Sequence, residues 1–236
     1  MSSHAEGRER RERHWLLGIV GRILLAFAIL ALVTHTLVRP FVIPSGSMEP
    51  ALQPGDRVVA KVIGVDDAEL ARGDVVVFGH GATWEDATID EPNPVANALR
   101  YVGDVLGAGP SHRGHTVKRV IGLPGDTVSC CDERGRVLVN DQPLDEPYVT
   151  MNHPLPAGSE CDSATPSTRC FPEITVPEGS YLVLGDNRAN SADSVISCRG
   201  TAQGACTPRF VRFDQVVGIL GWRWWPLPPG EADRSA

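Results

Sequence analysis

The sequence predicts an antiparallel all-β extracytoplasmic body, partly barrel-like and carrying a short helical insertion, tethered by one N-terminal transmembrane helix. Three observations predict it. Residues 15–38 form one apolar run. Downstream, short β-branched runs alternate with Gly, Pro and Asp turn signals. A helical period returns in only one later segment, after Asn93-Pro94.

Residues 1–14 read as a cytoplasmic tail. The span Trp15 to Val38 exceeds the about 20 helical residues needed to cross a hydrocarbon core. Arg22 interrupts it, but it lies only about two turns from the N-terminal end, where a long side chain can snorkel to the headgroups. Arg8, Arg10, Arg11 and Arg13 precede the span and only Arg39 follows soon after it. The positive-inside bias therefore places the tail in the cytoplasm and the body outside a cell membrane that is crossed once. A cleaved secretory signal is the rival, but no small-x-small site followed by a mature-looking start comes after Val33.

Strands are expected at 56–63, 73–78, 116–121, 136–139, 173–176, 181–184 and 215–220. Pro-Gly-Asp at 54–56 and 124–126 and Pro-Glu-Gly at 177–179 punctuate them, and Asn140-Asp-Gln-Pro143 reads as a hairpin turn. In the insertion at 79–115, Val95, Ala98, Leu99, Val102, Val105 and Leu106 share one face of a helix capped by Asn93 and stopped near Gly107. That helix is expected to pack on the barrel, or else to face the membrane. Trp222, Trp224 and Trp225 belong either to a final strand with two core faces or to an interfacial belt. Residues 227–236 are expected to be disordered.

The net charge is −7, and the tail with Arg22 is itself net positive, so the body is acidic. That argues against a nucleic-acid surface. All six cysteines lie beyond the anchor, which fits an oxidising compartment. Six allow 15 pairings; Cys161 with Cys170 and Cys198 with Cys206 are plausible loop staples. No C-x₂-C pair supports a zinc site.

Chemistry is concentrated in two places. Pro44-Ser45-Gly46-Ser47-Met48 follows closely on the anchor, and Lys118-Arg119 opens a segment ending in Pro-Gly-Asp126. A serine hydroxyl needs a neighbouring base, and a neutral lysine can serve without a histidine. No G-x-S-x-G elbow is present. His112, His115 and His153 sit in Gly- or Pro-rich stretches and read as exposed loop residues.

Five segments carry a family resemblance: Phe41-Val-Ile-Pro-Ser45-Gly-Ser47-Met48-Glu-Pro50, Gly55-Asp56-Arg-Val-Val, Arg72-Gly-Asp74-Val-Val-Val-Phe78, Lys118-Arg119-Val-Ile-Gly-Leu-Pro-Gly-Asp126, and Gly185-Asp186-Asn187-Arg188-Ala-Asn190-Ser191-Ala-Asp193-Ser194. In this order they resemble the boxes of bacterial type I signal peptidases. The resemblance implies a serine endopeptidase that removes signal peptides from secreted preproteins after Ala-x-Ala sites. It makes Ser47 the nucleophile and Lys118 the general base, gives the Ser45 hydroxyl to the oxyanion hole beside the Ser47 N–H, and has Ser191 orient the lysine. Asp186 and Arg119 become a structural ion pair, and Phe41, Ile43, Leu52 and Val117 line shallow substrate pockets. It implies no cofactor or metal, with preproteins and membrane lipid as partners and a monomer as the expected state.

The catalytic part then comprises residues 39–128 and 180–226, with 129–179 a smaller accessory β region. One position departs from the pattern: Val195 follows Asp193-Ser194 where the family usually has arginine, and Arg199 could take that place if Cys198 and Cys206 close a tight loop. Two other readings are a self-cleaving repressor-type peptidase, which needs a DNA-binding segment where this chain has an anchor, and a catalytically silent β-domain that binds preproteins or wall components.

Overall fold

The computed structural model describes residues 3–62, 70–81, 83–84, 93–106, 114–156, 161, 166–201 and 206–225. Helix α1 runs without a break over Ser3–Thr36, so the polar tail continues the anchor helix instead of forming a separate segment. Its stretch His14–Thr34 is long and apolar enough to cross a membrane, and apart from Thr34 at its end it is exposed or only partly covered. Thr34 and Thr36 turn their hydroxyls back onto the carbonyls of Leu30 and Leu32, so neither presents an unsatisfied donor.

Two antiparallel sheets follow. The larger orders its strands β1 (Val38–Val42), β2 (Arg57–Lys61), β11 (Val216–Trp225), β3 (Val75–Gly79), β4 (His115–Gly122), β9 (Ser180–Leu184) and β10 (Val211–Arg212). The smaller orders β7 (Gln142–Pro143), β6 (Val137–Val139), β5 (Thr127–Cys130) and β8 (Phe171–Thr175). Strand β9 is buried along its whole length because it separates two cores. Leu182 and Leu184 pack with Ile121, Val128, Val139, Phe171 and Ile174 between the sheets. Tyr181 and Val183 pack with Val76, Phe78, Trp84 and Val120 on the opposite side. Burial on both faces explains why this strand reads as a continuous apolar run and not as an alternation.

Three turns share one device. At Gln53–Asp56, Ala71–Asp74 and Leu123–Asp126 a glycine takes positive φ, and the following aspartate accepts the N–H of the turn's first residue on its Oδ2. Only glycine reaches that conformation cheaply, which is why Gly-Asp recurs at the entry to β2, β3 and β5. Asn140 and Asp141, at φ 51° and 62°, close the expected β6–β7 hairpin in the manner of a type I′ turn.

Disulfides join Cys161 to Cys170 and Cys198 to Cys206, and Cys130 to its neighbour Cys131. The short helix is present as α2, Pro94–Leu106, and Asn93 Oδ1 accepts the Val95 N–H at its start. It does not pack on the sheets as its period suggested; it rests against α1, with Val95, Leu99 and Val102 exposed. The final strand reaches Trp225 but lacks two core faces, because Trp222 is 59% exposed. The expected end of a strand at Ile63, the stop near Gly107, His112, and the tail 227–236 lie outside the described residues.

Candidate active site

Ser47 sits in a single 3-10 turn, Gly46–Met48, immediately after β1. The turn is held at both ends. Met48, 1% exposed, plugs into the cluster of Ile43, Leu52, Val58, Ala60, Val77 and Val117. On the other side Asn187 donates its backbone N–H to the Ser47 carbonyl (3.1 Å) and its Nδ2 to the Gly46 carbonyl (3.2 Å). The turn that carries the serine is thereby held by contacts that do not involve its hydroxyl.

Lys118 lies in the middle of β4, paired across to Val76 of β3. Its Nζ is hydrogen-bonded to Ser47 Oγ at 2.6 Å, and the two residues are 3% and 8% exposed. Burial lowers the lysine pKa to about 8; Asp193 and Asp186 pull it back up and Arg209 opposes them. Desolvation wins because it penalises the ammonium directly, whereas the carboxylates act at a distance and are already paired.

Asp193 is wholly buried and accepts Arg199 Nη2 at 3.1 Å. Arg199 follows directly on Cys198, whose disulfide to Cys206 closes the loop. Asp186 is held by both Arg119 Nε (2.8 Å) and Nη2 (2.6 Å), a bidentate geometry. Arg119 also lies over the Tyr148 ring at 3.9 Å. Arg188 donates to the Gly185 carbonyl and pairs with Glu146. Carboxylates behind the lysine are thus neutralised in pairs, leaving burial to set its basicity.

Ser45 Oγ lies 3.4 Å from Ser47 Oγ, a long contact, and lines the same cleft. That cleft is bounded by Ile43, Pro44, Met48, His115, Thr116 and Val117. Ile43 and Val117 therefore stand where expected. Leu52 does not line the cleft: it is 6% exposed and packs beneath it. Phe41 reaches it indirectly, edge-on to His115 with ring centroids 5.3 Å apart. His115 is the first residue of β4 and a cleft wall, not the exposed loop residue expected.

Ser191 departs most from expectation. Its Oγ is buried with no hydrogen-bond partner, so the expected bond to the Lys118 amine is not formed. The hydroxyl lies instead beside Gly185, where an added Cβ would meet Ser191 Oγ at 2.3 Å and the Ser47 carbonyl at 2.5 Å. Glu146, Tyr148 and Asn187 support the site, yet only Asn187 falls inside a recognisable segment.

A family description, "Signal peptidase, peptidase S26", matches residues 15–225. The chain belongs to this family. It is 36% identical to a probable signal peptidase I of Mycobacterium leprae over 82% of its own length and 67% of that protein. It is 34% identical to a signal peptidase I of Mycobacterium tuberculosis, covering 86% and 73%. It is 32% identical to signal peptidase IB of Staphylococcus aureus, covering 90% and 89%. In this S26 signal peptidase the matched segment runs from Trp15 in α1 to Trp225 at the end of β11, so every residue of the cleft falls within it.

Proposed function

We propose that the chain is a membrane-anchored serine endopeptidase that removes signal peptides from preproteins after small-x-small sites of the Ala-x-Ala kind. The observation that carries this is the buried hydrogen bond between Lys118 Nζ and Ser47 Oγ. Ser47 is the nucleophile and Lys118 the base. At pH 7, with a lysine pKa of about 8, about a tenth of the molecules hold the amine neutral and competent.

As Ser47 Oγ attacks the scissile carbonyl, its proton passes to Nζ. The oxyanion that forms takes hydrogen bonds from the Ser45 hydroxyl and the Ser47 N–H. The resulting ammonium gives its proton to the leaving amine, which breaks the C–N bond and leaves an acyl-enzyme. Lys118 then takes a proton from the water that attacks the ester and returns it to Ser47. Asp186 and Arg119 brace the back of the site.

Ile43 and Val117 line a shallow cleft that admits small side chains, with Phe41 bracing His115 in its wall and Leu52 packed beneath it. An extended substrate supplies affinity through its main chain while alternate side chains meet the pockets. Residues 39–128 and 180–226 form the catalytic part and 129–179 the accessory part. The protein works as a monomer in contact with lipid, its basic N-terminus cytoplasmic and its body extracytoplasmic. Substrate and enzyme then share one membrane plane, which raises their effective concentration.

The test is cleavage of a preprotein bearing an Ala-x-Ala site by the detergent-solubilised protein, beside Ser47→Ala and Lys118→Ala. Processing by the parent and by neither variant is the expected result. A parent that binds the preprotein but leaves it intact overturns the reading.

A further inference from the structure

Helix α2 shows its apolar side to the outside and its polar side to the protein. At helical spacing Val95, Ala98, Leu99 and Val102 share one face, and Ala96, Asn97, Arg100 and Gly103 fall opposite. A helix on a water-bathed body buries the apolar stripe. Here Val95, Leu99 and Val102 are 66%, 58% and 49% exposed, whereas Gly103 is buried and Ala96, Asn97 and Arg100 are half-buried. Leaving such side chains in water forgoes the free energy that burying them would gain. The reversal therefore points to surroundings that are not water.

The neighbour of α2 identifies those surroundings. α2 packs against α1, whose apolar stretch is largely exposed, with Thr34 at its end buried. The exposed stripe of α2 thus belongs to a helix that touches the one long and apolar enough to cross the bilayer. We infer that α2 is an interfacial helix whose Val95–Leu99–Val102 stripe lies in the headgroup and acyl boundary of that bilayer, a second lipid contact besides the anchor. This rests on the reading of α1 as a membrane span, though not on the catalytic assignment. In chain order α2 comes before β4, which carries Lys118, with residues 107–114 between them.

The experiment uses the full chain carrying Ser47→Ala in vesicles of phosphatidylethanolamine and phosphatidylglycerol, doped with a phospholipid bearing a photoactivatable diazirine on its acyl chain. After irradiation, adducts are mapped by mass spectrometry. The expected result is adducts on Val95, Leu99 or Val102 as well as on α1, none on Asn97 or Arg100, and loss of the α2 adducts alone in V95S/L99S/V102S. Adducts on α1 without any on α2 overturn the inference. Adducts on neither helix overturn it together with the anchor, but leave catalysis to its own assay. α2 adducts that disappear on adding preprotein, or on crowding the vesicles with enzyme, also overturn it, because the stripe then belongs to a signal segment or a second copy. With the active chain, V95S/L99S/V102S should process vesicle-borne preprotein more slowly and a soluble peptide at the parent rate.

Discussion

Lys118 Nζ stands 2.6 Å from Ser47 Oγ at a site where neither side chain is more than a tenth exposed. Proximity alone would not activate the serine, since an ammonium cannot accept its proton. Burial makes the pair useful by bringing the lysine pKa down to about 8. kcat/KM should therefore rise with pH along a limb centred at about 8 and level off above it. A pH profile on a soluble peptide measures this; a limb centred near the ordinary lysine value would contradict the assignment of Lys118 as base.

The same burial has a cost in stability. The folded lysine releases its proton at about 8, the unfolded one at 10.5. Between those values the unfolded chain binds more protons, so this residue's contribution rises with pH through the window and is least favourable below it. Lys118→Met should abolish cleavage yet raise thermal stability at pH 7, by up to about 3 kcal/mol, with the gain shrinking toward pH 10. Melting curves of parent and variant at the two pH values separate this from a general effect of the substitution.

Most of the body was legible because its strands are β-branched runs between glycine turns. Strand β1 was not, since it follows the anchor directly and contains Pro40, which suits the edge position it occupies in the large sheet. β7 and β10 are two residues each, too short to show a period. The period of α2 identified its apolar face but could not say what that face meets. Ser47 and Lys118 stood out through their segments, and so did the conditional role of Arg199. Glu146 and Tyr148 did not, because their contributions depend on contacts to Arg188 and Arg119 that are distant in sequence. For Ser191 the expected bond to the lysine is not formed, because side-chain bonding depends on rotamer and close packing, which no pattern encodes.

Gly185 is where the serine turn and Ser191 approach each other most closely. A methyl group there would overlap both the Ser191 hydroxyl and the Ser47 carbonyl, and the latter is backbone that cannot swing aside. Gly185→Ala should therefore displace the nucleophile and lower kcat by about a hundredfold or more, the scale expected when reacting groups move by about 1 Å. Peptide KM should change little, because the cleft walls at Ile43 and Val117 are on other elements. Steady-state kinetics with a short peptide make the comparison, and an unchanged kcat would show that the turn has room to relax.

Arg199 should be a stability residue that acts on the site from behind. Its guanidinium is the ion-pair partner of Asp193, a carboxylate with no exposure, and so serves where the sequence resemblance implies an arginine at 195, which in this chain is valine. Val195 is itself fully buried in the core between the sheets, so it cannot supply the missing charge. Removing Arg199 leaves a buried carboxylate without its cation, which typically costs about 3–5 kcal/mol. Arg199→Ala should lower the melting temperature markedly and raise the Lys118 pKa, because an unpaired Asp193 would stabilise the ammonium more strongly. The alkaline shift of the kcat/KM profile distinguishes this from simple loosening. Reducing the Cys198–Cys206 disulfide, which closes the loop carrying Arg199, should move the profile in the same direction by a smaller amount.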